Sequence, residues 1–139
     1  MDDALIPRTP SCAAIDDNRL LGSDPRRRRV LFVNADADLR AVVTRVLQRE
    51  SYEVCAVAHS GHALLMSRRG AFDVLITELS GPDVSGPALF DVLRRHCPGM
   101  TPLYLAHAGT PEGINRVLVR PFTRDDLLLR LEFMLSVAA

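Results

Sequence analysis

The sequence has no lysine: all seventeen of its basic residues are arginine, balanced by seventeen aspartates and glutamates. A formal charge of zero gives no global argument for a nucleic-acid surface, and the exclusive use of arginine reads as coding bias before it reads as a partner's signature. Cysteine is scarce as well. Cys12, Cys55 and Cys97 lie far apart with no Cys-x-x-Cys pair, which argues against a zinc site and a disulfide scaffold and leaves reduced thiols as the expectation. Sustained apolar runs are missing too. The chain opens Met-Asp-Asp without reaching one, so neither a signal peptide nor a membrane span is expected, and the expected location is the cytoplasm. At 139 residues there is no room for two full domains, but an apolar content of 47% suffices for one core.

The chain is organised around Phe72 to Gly86. Val74-Leu75-Ile76 is an apolar run that ends on the carboxylate of Glu78 and gives way to Ser80, Gly81 and Pro82. This pattern predicts a central strand of a parallel sheet, buried on both faces, that delivers one acid to the edge where the backbone turns away. In open α/β sheets that edge is where ligands and chemistry sit. Glu78 is therefore the first candidate functional residue.

Residues 1–29 mix three prolines and five aspartates without a period and finish in Arg26 to Arg29. They read as a flexible leader whose arginines are a solvated flank, with residues 30–136 as the domain. Val30 to Val33 predicts the first strand, Asn34 to Asp38 an acidic loop, and Leu39, Val42, Val43, Val46 and Leu47 a helix capped by Asp36 or Asp38. A second strand spans Tyr52 to Ala58. Ser60 is positioned to cap a helix through Met66, with Gly70 as its stop. After the central strand, Pro87 sits where a helix tolerates proline, with Leu89, Val92 and Leu93 as its inward stripe. Pro102 to Ala108 and Val117 to Val119 are the remaining strands, and Thr123 with Asp126 opens a last helix. Five strands alternating with helices imply a parallel sheet covered on both sides. Residues 109–116 are too few for a crossover helix, so the fourth helix is predicted to be shortened or missing.

Taken together, residues 29–136 resemble the receiver domain of bacterial response regulators, of the CheY-like superfamily, as an atypical member. The segment Val30 to Arg40 resembles the first strand and acidic pair. Asp73 to Gly86 resembles the phosphoacceptor strand and its following Pro and Gly, and Arg120-Pro121-Phe122 resembles the Lys-Pro-Phe signature. The resemblance implies a flavodoxin-like α/β fold with strand order 2-1-3-4-5. It also implies a defined chemical set: an acidic pair and an acceptor Asp that hold Mg²⁺, a Ser or Thr ending the fourth strand, and a Lys followed by a cis proline after the fifth.

This sequence departs from that set at each position. Asn34 and Ala35 stand at the acidic-pair positions, with Asp36 the nearest acid, better suited to a helix cap. Glu78 is at the acceptor position, His107 at the fourth-strand switch position and Arg120 at the fifth-strand basic position, with Pro121 the cis-proline candidate. No metal ligand set and no catalytic residue are expected. Glu78 reads either as a longer carboxylate standing where a phosphoryl oxygen would lie, clamped by Arg120, or as a relic acid in an ion pair. His107 reads as a pH-sensitive group or as a bulky filler.

The functional expectation is a stand-alone, non-enzymatic signalling module of the two-component or phosphorelay type. It would act by contact with another signalling protein (a kinase, an output protein or a complex), without phosphotransfer and in a constant state. No cofactor, membrane or nucleic acid is expected, and a homo-oligomer is compatible with it. One alternative is an active single-domain phosphoacceptor that uses Mg²⁺. Another is a flavin- or nucleotide-binding protein on the same fold, disfavoured by the acidic loop where its phosphate would sit.

Overall fold

A computed structural model describes residues 27–110 and 116–138. The strands are β1 (Arg29–Val33), β2 (Glu53–Val57), β3 (Val74–Glu78), β4 (Thr101–Ala106) and β5 (Val117–Val119). They alternate with helices α1 (Ala37–Arg49), α2 (Ser60–Ser67), α3 (Gly86–Leu93) and α4 (Arg124–Ala138). The strands form one parallel sheet in the order β2-β1-β3-β4-β5.

Burial on both faces explains the short, continuous apolar strands. From β1, Val30 and Phe32 enter the cluster shared with α1 and α4, while Leu31 and Val33 enter the cluster shared with α2 and α3. The period of two thus feeds two cores from one strand. Val43 and Leu47 are the buried residues of α1, and Leu127, Leu131, Met134 and Leu135 those of α4. Two residues assigned to inward stripes from spacing are exposed instead: Val42 at 55% and Val92 at 38%, because each short helix presents only a narrow strip to the sheet.

The caps follow local chemistry. Asp36 accepts hydrogen bonds from the backbone N–H groups of Asp38 and Leu39 at the start of α1. Thr123 and Asp126 bond each other's backbone N–H at the start of α4. At α2 the cap is His59, whose Nδ1 accepts from the N–H of His62 at 3.2 Å, and not Ser60. The stop of α2 is Arg68, ahead of Gly70.

In the connection between β4 and β5, residues 107–110 and Arg116 form a turn with Gly109 at φ +90° and no helix, while 111–115 lie outside the described residues. The flexible-leader expectation likewise concerns residues mostly outside the described ones, and β1 begins at Arg29. Cys55 is disulfide-bonded, against the expectation of reduced thiols, while Cys97 is free and buried. No helix among the described residues is long and apolar enough to cross a membrane.

Candidate functional site

The carboxyl ends of β1, β3 and β5 converge on one carboxylate. Glu78, in register with Leu105 of β4, has a side chain 17% exposed. Its Oε2 accepts from Asn34 Nδ2 at 2.6 Å and from the Arg120 guanidinium, which reaches across the end of β4 from β5. The Arg120 backbone N–H donates to the Ala106 carbonyl, which holds that strand end against β4.

Asn34 is itself held from three sides. Its Oδ1 accepts from the Asp36 N–H at 2.9 Å, its carbonyl accepts from Arg40 Nη1 at 2.7 Å, and its N–H donates to the Val57 carbonyl. With the oxygen spent on a backbone donor, the amide nitrogen is the atom presented to Glu78. The side chain is thus a neutral donor to a carboxylate, a strong kind of bond in a partly buried place.

Around this centre is a cleft of about 20 Å³ lined by Asn34, Ala35, His59, Ser60, Glu78 and Asp83. That is room for about one water molecule. Gly86 closes the approach of α3: a Cβ there would lie 2.5 Å from the Glu78 carbonyl and 2.6 Å from Tyr104 Cδ1, so the glycine is a steric requirement. Across the cleft mouth Ser60 Oγ donates to Asp83 at 2.5 Å and holds that exposed carboxyl below its ordinary range. Burial, and then neighbouring His59, push His62 below the usual histidine range.

No family model matches the sequence. A response regulator receiver protein of Anaeromyxobacter is 30% identical over 102 residues, 68% of this chain and 43% of its own length. The transcriptional regulatory protein TcrA of Mycobacterium tuberculosis is 28% identical over 111 residues, 74% of this chain and 44% of its own. Chemotaxis protein CheY4 of Vibrio cholerae superposes with a TM-score of 0.69 at 26% identity, over 77% of this chain and 98% of that one. The chain belongs to the receiver-domain family of response regulators. Its fold is the family's, and it spans half or less of the length of the first curated relatives it matches.

Receiver domains of the ordinary kind imply Mg²⁺, and the donor set of this receiver domain does not fit that ion. Asn34 turns its nitrogen, not its oxygen, to the centre; Ala35 has no ligand atom; the Asp36 carboxylate is committed to the amides of α1; and Glu78 Oε2 is already engaged by two donors. A hard cation needs several charged or carbonyl oxygens converging on one point. Among the described residues, no three His, Cys, Asp or Glu side chains gather as a metal group.

The sequence-derived candidates thus separate into two sets. Asn34, Glu78 and Arg120 meet, and the peptide between Arg120 and Pro121 is cis. Ala35 lines the cleft without a donor or acceptor side chain, and Asp36 spends its carboxylate on the α1 cap instead. His107 is exposed beyond the end of β4, its carbonyl accepting from the Thr110 N–H, so it fills no cleft and joins none of the bonds at Glu78. Sequence reasoning missed the Ser60–Asp83 bond. Its only sequence signal is an acid in the Pro82-Asp83-Val84-Ser85 turn facing the hydroxyl that follows β2.

Proposed function

We propose that this receiver domain works by protein–protein contact without phosphotransfer, with the Glu78–Arg120 pair holding it in one state. The observation that carries this reading is the double engagement of Glu78 Oε2 by Asn34 and Arg120 in a cleft with space for about one water. An acceptor carboxylate must have room before it for a phosphoryl group in line with its attacking oxygen, and a free cation beside it that screens the incoming charge. Here a guanidinium supplies the positive charge, and it pairs with the acid itself. The longer Glu side chain carries one negative charge outward, short of the roughly −1.5 to −2 of a phosphate.

The partner in this reading is another two-component signalling protein of the cytoplasm, a kinase or an output protein. Large apolar side chains on the surface support contact of that kind. Leu129 and Phe133 of α4 are 64% and 60% exposed beside β5, and a groove of about 400 Å³ runs between Val42 of α1 and Phe122.

Incubation with acetyl phosphate and Mg²⁺, followed by intact-mass measurement, is the test. No phosphoryl mass should be added. A stable adduct that disappears in Glu78→Ala would sink the proposal and establish an ordinary phosphoacceptor.

A further inference from the structure

The net charge of zero conceals a segregation that follows from topology. In a parallel sheet every helix-to-strand turn falls at the edge where strands begin, opposite the Glu78 site. That edge collects Arg27 and Arg28 ahead of β1, Arg68 and Arg69 after α2, and Arg94 and Arg95 after α3, all of them exposed. The exposed acids near this edge are Glu50, Asp91 and Glu132, the last acting on Tyr52 together with Arg28 and Glu50, while Glu53 and Asp73 turn onto Arg29. The opposite edge carries the exposed Asp36, Asp38, Asp83, Asp125 and Asp126.

The two arginine doublets occupy equivalent places. Arg68 caps α2 and Arg94 caps α3, each followed by a second arginine. The turns that carry them are tied together by the Cys97 thiol, which donates to the carbonyls of Ser67 and Gly70 at 3.7 and 3.6 Å. The helices pack side by side on one face of the sheet, so the doublets lie about one interhelical distance apart, roughly 8–10 Å. Favourable interaction with the negative end of a helix accounts for the capping arginines. It does not account for Arg95 or for the convergence of both doublets with Arg27 and Arg28. The Arg94–Asp91 pair is surface-exposed at 58% on both sides, a contact that exchanges readily.

We propose that this edge is a docking surface for an acidic segment of a partner protein, whose carboxylates are taken by the paired guanidinium forks. An acidic peptide fits better than a nucleic acid for two reasons. The turns bearing the doublets expose no Phe, Tyr or Trp on which bases could stack. Helix C-termini face outward there and disfavour any anion beside them, so the occupant must place its charges selectively: a peptide can set carboxylates against the guanidinium groups and pass the helix ends and Asp91 with uncharged residues, whereas a nucleic acid carries a phosphate at every step. The surface is separate from Glu78 and does not depend on how that residue acts.

Fluorescence anisotropy of the full chain with a labelled glutamate-rich peptide, and separately with a labelled DNA duplex, tests it. The peptide should bind saturably and weaken as salt rises from about 50 to 200 mM. Arg68→Glu/Arg95→Glu should lose about tenfold or more in affinity, Arg68→Gln/Arg95→Gln should lose less in the same direction, and Arg124→Glu at the opposite edge should bind as the parent does. The neutral pair covers the case in which charge reversal at a helix end impairs folding. The proposal is overturned by absence of saturable peptide binding, by unchanged affinity in the neutral pair, or by tighter binding of the duplex than of the peptide.

Discussion

Asn34 is the residue on which the site turns, because it decides whether β1 offers Glu78 a donor or a rival. It is 5% exposed, and both halves of its amide are used. Asn34→Asp preserves the shape and the bond from the Asp36 N–H but sets a second carboxylate against Glu78 Oε2. Two ionised carboxylates in contact repel, and the lost bond was one to a charged group. We expect a loss of about 1–3 kcal/mol in urea denaturation at neutral pH, partly recovered by millimolar Mg²⁺, since the substitution adds a charged oxygen to the centre. A variant as stable as the parent, indifferent to Mg²⁺, would mean that Arg120 alone satisfies Glu78. Glu78 was legible as a candidate because it ends an apolar strand, where the next side chain must face the sheet edge, and Arg120 through the likeness of Arg120-Pro121-Phe122 to the family's Lys-Pro-Phe signature. The role of Asn34 was not, since which end of an amide faces inward depends on a backbone donor two residues on and a carboxylate 44 residues away.

Among the elements, the end of α1 shows a glycine's work done by another residue. The Tyr52 N–H donates to the Leu47 carbonyl and the Ser51 N–H to the Gln48 carbonyl, the paired closing bonds of a Schellman motif, with Ser51 at φ +70° in the left-handed position. A residue with a Cβ is disfavoured there by about 1 kcal/mol. Ser51→Gly should therefore raise stability by up to about that amount, offset in part by the greater freedom glycine gives the unfolded chain. Urea denaturation with an unchanged slope checks it, and a loss of stability would show that the hydroxyl carries an interaction of its own. The same dependence on context explains which caps were readable. Thr123 with Asp126 and Asp36 at α1 bond within three residues of themselves, so the sequence displays them. Ser60 looked like the cap of α2, but its hydroxyl is taken by Asp83, 23 positions away, and His59 caps instead.

At the scale of the molecule, one sheet divides two cores, and β1, β2 and β3 each enter both. The continuous Val-Leu-Phe-Val and Val-Leu-Ile runs made burial on both faces legible, since an alternating strand would have left one face wet. The amphipathic faces of the helices were less legible: α4 carries apolar residues almost all round, with Leu131 fully buried and Leu129 64% exposed two positions away. Leu131, in the α1–α4 core, and Leu93, in the α2–α3 core, are both 0% exposed and sit in separate clusters. Each Leu→Ala change removes buried methyl groups and leaves a cavity, at a cost of about 2–5 kcal/mol. Because the strands between them belong to both cores, neither side can come apart while the other persists. Single variants should thus unfold in one transition by fluorescence-independent probes such as far- and near-ultraviolet circular dichroism, and the double variant should lose the sum of the two costs to within about 0.5 kcal/mol. Two separated transitions in Leu93→Ala would mean that the α2–α3 layer, which bears the arginine doublets, melts on its own and that the sheet does not couple its faces.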